Sequence, residues 1–333
     1  MLSVVKGLFM EFGVQIGSAE FSEIKELAGT AERLGFGVIM TPDHIVYEGP
    51  EKQVDAGWLS YDAMVRAAIM LEATKRVQVG HLVLCNLFRH PAITAQSITS
   101  LDRLSGGRAF CGIGTGWTAT EFAMTGIPYP DMPTRLEMLD EALTVMKSLW
   151  SQERTTFAGK HYQLKDAMLH PKPTRMPPIL LGGGGKGLLR VAAKHADVVN
   201  IIAEVGANGY ISTAEAGKLT DEAFRSKVQF LRDEAKRHGR DGNAIRISNV
   251  TFTTMLTESA EHTRGVCEAM AGFFKVPAEA IPRTPLALIG TPPEVAAEIS
   301  RRRSEWDVSQ IVFSAREPGL IDRVAKEVIP LVK

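Results

Sequence analysis

Cysteine is scarce. The 333-residue chain holds three, Cys85, Cys111 and Cys267, far apart and without C-x-x-C spacing. That excludes a disulfide framework and a zinc ribbon, and it fits a reducing compartment, so the expected location is the cytoplasm. Net charge is missing as well: 38 Lys and Arg balance 38 Asp and Glu. With no basic block interleaved with aromatics, nucleic acid is a poor partner. No apolar run approaches the roughly 20 residues that cross a bilayer, so no membrane partner is expected. The eight histidines show no H-E-x-x-H or similar ligand spacing, and no metal is expected. Met1 to Phe9 carries one lysine and a short apolar stretch, without the core and cleavage site of a secretory leader. Met10 stands directly before the first expected strand and is a second candidate start.

What remains is ordinary globular composition, 45% hydrophobic and 23% charged, with ample chain for one large core over residues 1–333. Short apolar runs alternate with helical periodicity. Phe12–Ile16, Val38–Met40, Val77–Leu84, Ala109–Ile113, Ile179–Leu181, Asp197–Ile202, Ile245–Phe252 and Gln310–Phe313 read as strands. Helices are expected between them, among them Pro91–Leu104 with proline in its first turn, one opened by Thr134-Arg135-Leu136-Glu137, and one opened by Thr291-Pro292-Pro293-Glu294. Strands this uniformly apolar are buried on both faces of a parallel sheet, and about eight of them favour a closed (β/α)8 barrel, with a doubly wound open sheet as the fallback. Three segments break the rhythm. Residues 151–178 read as a small hairpin and a proline-rich connector, and longer insertions follow strands six and seven. A barrel carries its ligand site at the C-terminal ends of the strands, where the last two insertions would overhang as a lid.

Four loops fall on that rim. Asp43-His44 ends strand two; an imidazole at a rim can take or give a proton near neutral pH, although a loop histidine can also simply cap or pack. Gly112-Ile113-Gly114-Thr115-Gly116 ends strand four as a ledge without side chains, suited to a phosphate, a carbonyl or a ring edge. Its spacing is not G-x-G-x-x-G and no acidic residue follows a next strand, so a dinucleotide fold is rejected. Gly182 to Gly185 precedes a helix and can grip an anion with backbone N–H groups, or serve only as a flexible turn. It is no Walker loop, since Lys186 is followed by Gly187. Glu20, after strand one, either faces the mouth or sits solvated on its loop.

Arg89-His90-Pro91, Leu101-Asp102-Arg103-Leu104-Ser105-Gly106-Gly107-Arg108, Gly112 to Trp117 with Glu121, Leu180 to Gly185 and Ile289-Gly290-Thr291-Pro292 together resemble the luciferase-like flavin and deazaflavin oxidoreductases. The similarity runs in order along nearly the whole chain. Asn86 to Pro91 and the Gly-Thr-Gly-Trp ending look most like the branch that uses the deazaflavin coenzyme F420. The resemblance implies a luciferase-like TIM barrel whose mouth binds the ring. It implies a non-proline cis peptide at or near Leu82-Val83 in a bulge behind the ring, and Asn86 at the ring's polar edge. Thr115, Gly116, Gly183 and Gly184 would hold the ribityl-phosphate end. Asp43 would help hold the ring, His44 would act as general acid/base, and the protein would be a homodimer acting on a small-molecule substrate. Trp117 departs from the pattern: the family's sugar-phosphate dehydrogenases place a catalytic Glu there. A Trp removes one proton donor and adds a stacking surface, which favours an apolar or flat substrate. The alternatives are an FMN-dependent monooxygenase served by a flavin reductase, and a non-catalytic flavin carrier. Asp43-His44 argues against the carrier.

Overall fold

The computed structural model describes residues 10–48, 54–55, 57–205, 213–274, 276–315 and 319–333. The Met1 to Phe9 stretch lies outside the described residues. One parallel sheet runs in the order Gln78–His81, Val38–Thr41, Glu11–Gln15, Val308–Ser314, Arg246–Thr251, Val198–Asn200, Ile179–Gly182, Cys111–Gly114, Leu84–Cys85. The first and last pieces belong to one strand, the third, interrupted at Leu82-Val83. A bridge between Val79 and Ala109 joins the two edges, with Val79 N–H donating to the Arg108 carbonyl at 3.0 Å and Phe110 N–H to the Val79 carbonyl at 3.1 Å. The sheet is therefore a closed (β/α)8 barrel, and the open-sheet fallback is set aside.

The strands are buried on both faces because two layers of apolar side chains claim them. Val38, Met40, Leu82, Phe110, Leu180, Val250 and Val312 fill the barrel interior. A larger cluster packs the outer face against the helices, with Ile24, Ala28, Leu143 and Ile299 among its contributors. The helices start where side chains meet orphan N–H groups. Glu20 and Glu23 form a capping box on the helix Phe21–Arg33, Asp62 caps Ala63–Ala73, and Thr291 and Glu294 form the expected box on Pro292–Trp306. The helix Pro91–Ser105 ends at Gly106 in the left-handed region, φ 66°. One start was misread. The helix Met132–Ser151 begins two residues before Thr134 and is capped by Asp131, whose carboxylate accepts from Thr134 N–H at 2.9 Å. Glu137, read as the box partner, instead pairs with Lys160 and His161.

The interruptions are built as follows. Thr155–Ala158 and Gln163–Ala167 form the expected hairpin. A second hairpin that the sequence did not suggest, Tyr47–Glu48 with Val54–Asp55, follows strand two. Strand seven runs on into Thr253–Leu256, which pairs in parallel with Ala287–Gly290 across the helix Ala260–Phe274 and the 3-10 turn Ala278–Arg283. The sequence reads residues 257–288 as a long insertion without this sheet, because each strand is four residues long and its partner lies more than thirty residues away. The end of the chain is a succession of short α, π and 3-10 turns over Leu320–Leu331 rather than one helix.

Close packing beneath the mouth centres on His81, which is fully buried at the end of the first piece of strand three. Across from it, a Cβ on Gly112 would lie 1.7 Å from the His81 carbonyl oxygen, so only glycine fits there. His81 Nε2 faces the Ala63 carbonyl at 3.3 Å and must donate, while Nδ1 has no partner, so the ring is the neutral Nε2–H tautomer. Burial pushes its pKa down from 6.5 to about 4, against the opposing pull of the Asp43 charge. In the unfolded chain the ring protonates near pH 6.5, whereas folded His81 resists until about pH 4. Its share of stability is complete above the upper value and is lost as pH falls through that window, by about 3 kcal/mol. Urea unfolding between pH 7 and 4 should show this decline, and His81→Gln should flatten it. An equally steep slope in the variant would assign the decline to other groups.

Candidate functional site

The floor of the site is the break in strand three. The Leu82-Val83 peptide is cis, at the expected position. Gln15, at the end of strand one, donates its side-chain N–H to the Leu82 carbonyl at 2.9 Å. Val83 is thrust between the ends of strands four and five. A Cβ on Gly114 would meet Val83 Cγ2 at 3.0 Å, and one on Gly182 would meet Cγ1 at 2.9 Å. The glycines at both positions are what make room for the bulge.

Two buried carboxylates tie the neighbouring loops together. Asp43 accepts from Cys85 N–H at 3.0 Å and takes the Arg89 guanidinium at 2.7 and 3.1 Å. Arg89 also reaches the cap residue Asp62 at 2.7 Å. With its oxygens occupied this way, Asp43 holds the resumption of strand three against the end of strand two. Glu121, from the short helix Ala119–Thr125, is 2% exposed. Its carboxylate accepts from Ile45 N–H at 2.6 Å and Val46 N–H at 3.3 Å, and both its oxygens lie 3.2 Å from His44 Nδ1. A carboxylate at Nδ1 keeps the proton on that nitrogen and leaves Nε2 as the basic one.

Trp117, Tyr47 and Trp58 present their rings around this imidazole. Their centroids lie 5.8, 6.0 and 6.3 Å from that of His44, all nearly perpendicular to it, and Tyr47 stacks on Trp58 at 4.9 Å. The loop carrying Trp117 is held from behind. Arg135 donates to the Gly116 carbonyl and lies over the Tyr129 ring, and the Tyr129 hydroxyl donates to the Trp117 carbonyl at 3.1 Å. Gly116 has φ 78°, and a Cβ there would meet Cys85 Sγ at 2.7 Å. On the far side, Gly183 N–H donates to the Asn200 carbonyl at 3.0 Å, and Lys227 donates to the Gly184 carbonyl at 2.7 Å and pairs with Glu204. Gly185 caps the helix Lys186–His195, whose N-terminus opens on the same space.

That space is a cavity of about 950 Å³ at the C-terminal ends of the strands. Asp43, His44, Leu82, Val83, Thr115, Gly116, Trp117, Gly183 and Gly184 all line it. Residues from both long insertions roof it, including Leu219 and Thr220 after strand six and Val276, Ile281 and Leu286 after strand seven. Asn86 is absent from the lining: it is buried, with its amide 3.4 Å from the Tyr162 hydroxyl of the hairpin. The bulge explains this. Leu82 packs inside the barrel and Leu84 outside, so alternation slips by one residue and Asn86 follows Leu84 outward. Glu20 also faces away, as the helix cap that accepts from the Tyr61 hydroxyl at 2.8 Å. In the sequence, Glu121 stands out only as part of a motif. Its position four residues after Trp117 carries no local sign that it would reach His44. Among the described residues, no cluster of three or more His, Cys, Asp or Glu is placed to hold a metal, and no helix is long and apolar enough to cross a membrane.

A closed barrel with an interrupted third strand, glycine-ended strands four and five, and a histidine–carboxylate pair at the rim is an architecture found in flavin-type oxidoreductases. The family model described as luciferase-like monooxygenase matches residues 7–283, and the chain belongs to that family. It is similar to the F420-dependent glucose-6-phosphate dehydrogenase of Segniliparus rotundus, 27% identical over 336 residues, covering 93% of this chain and 92% of that protein. The enzyme of the same name from Kineococcus radiotolerans is 31% identical over 261 residues, covering 77% and 72%. In fold, an F420-dependent secondary alcohol dehydrogenase in complex with an F420-acetone adduct superposes with a TM-score of 0.76 at 21% identity, covering 98% of this chain and all of that one.

The Asp43–Arg89 pair lends itself to a direct test. Arg89→Gln removes the partner of a buried carboxylate and should lower unfolding stability by about 3 kcal/mol. Adding Asp43→Asn should recover a substantial part of that loss in a double-mutant cycle, whereas additive losses would show that the two side chains act independently.

Proposed function

We propose that the protein is an F420-dependent oxidoreductase that exchanges hydride between the bound deazaflavin and a small organic substrate, with His44 handling the proton. The observation that carries this reading is the His44–Glu121 pair at the cavity rim, 3.2 Å apart, on the cavity side of the Leu82-Val83 bulge. The residues present fit a flat, anionic-tailed coenzyme. The bulge forms a floor that a Cβ at Gly114 or Gly182 would crowd. Asn200 Oδ1 lies buried at the cavity wall without a partner among the described residues, an acceptor suited to a ring N–H. Gly183 and Gly184 lead into a helix N-terminus that suits a phosphate.

When bound, the deazaflavin supplies the two-electron hydride acceptor or donor. The chain's own part is to place the substrate and manage its proton. In the oxidising direction, the substrate's C–H bond breaks with both electrons leaving as hydride, its O–H proton passes to His44 Nε2, and a C=O bond forms. Glu121 keeps Nδ1 protonated and stabilises the imidazolium. The insertions roof the cavity and exclude water, and the bulk of the acceleration comes from holding the two carbons in contact. The homodimer and the cytoplasmic location suggested by the resemblance and the free thiols belong to the same proposal.

Titrating the apo-protein with F420 and, separately, FMN while following tryptophan fluorescence tests the coenzyme. Tight binding of F420 alone supports the proposal, and tight binding of FMN alone would replace it with the monooxygenase reading. His44→Ala should reduce turnover by about 100-fold or more while leaving F420 affinity nearly unchanged. Glu121→Gln should lower kcat and displace its pH profile. Unaltered turnover in His44→Ala would remove the histidine from the mechanism.

A further inference from the structure

We infer that the substrate is an uncharged alcohol, or the matching ketone, with a flat apolar body, and that a phosphorylated sugar is a poor substrate. The inference rests on the deazaflavin reading above and assigns its missing substrate class. Three features point the same way.

The first is the wall around the acid/base group. The reacting carbon must lie near His44, and the rings that border this imidazole are Tyr47, Trp58 and Trp117. Aromatic faces reward an apolar, planar partner. The second is the roof. Val276, Ile281 and Leu286, from the insertion after strand seven, add aliphatic surface to the same cavity.

The third is charge. Among the described lining residues, Asp43, Asp55, Glu121, Glu204 and Asp221 are acidic, and Arg283 is the one Lys or Arg. Among the described residues, three cations near the mouth are committed: Arg89 to Asp43 and Asp62, Lys227 to Glu204, and Arg301 to Asp221 and its own helix. A substrate phosphate would have to leave water for a rim whose described residues offer it one exposed guanidinium, Arg283, the other cations being paired. An uncharged carbinol needs only a proton acceptor, and His44 Nε2 provides it. The electron balance is that of the proposed reaction: the carbinol C–H leaves as hydride to the deazaflavin, the O–H proton goes to His44, and C=O forms.

The test uses 1-phenylethanol and acetophenone as uncharged probes and glucose 6-phosphate as the charged one. Acetophenone binding to the F420-loaded protein, read by tryptophan fluorescence or calorimetry, should be tighter than glucose 6-phosphate binding. Trp117→Ala should weaken it by about tenfold while leaving F420 affinity nearly unchanged. With F420 present, kcat/KM for 1-phenylethanol should exceed that for glucose 6-phosphate. If glucose 6-phosphate binds tighter or turns over faster, or if Trp117→Ala leaves acetophenone binding unchanged, the inference is overturned and the deazaflavin reading stands. If F420 binds but no hydride passes to or from any of the probes while acetophenone still binds through Trp117, the reaction falls and the shape of the pocket remains.

Discussion

A carboxylate removed from water has to be met by donors, and at this barrel mouth that requirement holds the loops in place. Glu121 collects two backbone N–H groups and the His44 ring, joining the loop after strand two to the helix after strand four. Asp43 collects Arg89 and the Cys85 N–H, fastening strand two to the resumption of strand three. Each is buried, so the loss of any partner leaves charge or a hydrogen-bonding group stranded. The position and tautomer of the imidazole follow from those two clamps.

The rest of the cavity is shaped by what the clamps leave open. The interrupted third strand projects Val83 into the centre, and glycines at the ends of strands four and five accommodate it. Backbone then lies bare on the side where a planar coenzyme would rest, while aromatic rings crowd the side next to His44. The division comes from side-chain size along a rim that all the strands share, a consequence of closing the sheet.

Much of this was legible early. Strand runs such as Val38–Thr41 and Ile179–Gly182 are apolar throughout, because burial on both faces permits little else, and their alternation with helices points to a barrel. Asp43, His44, Val83, Thr115, Gly183 and Gly184 lie on the cavity because loops that follow parallel strands gather at one end. Asn86 lies outside the cavity lining because a bulge shifts alternation by one residue, and counting along the chain does not reveal which way the side chains leave it. The Thr134 box was misassigned because Asp131 could cap the same N–H group.

The chain's order of residues by itself determined the barrel, the family resemblance and the identity of the rim loops, since these rest on local periodicity and on contiguous motifs. Only the tertiary structure decided that Glu121 backs His44 from 77 residues away, that Asp43 is taken up by Arg89, and that Tyr47 and Trp58 join Trp117 around the imidazole. These are contacts between side chains distant in sequence. They depend on how the closed sheet brings its loops together, and no local pattern of residues encodes that distance.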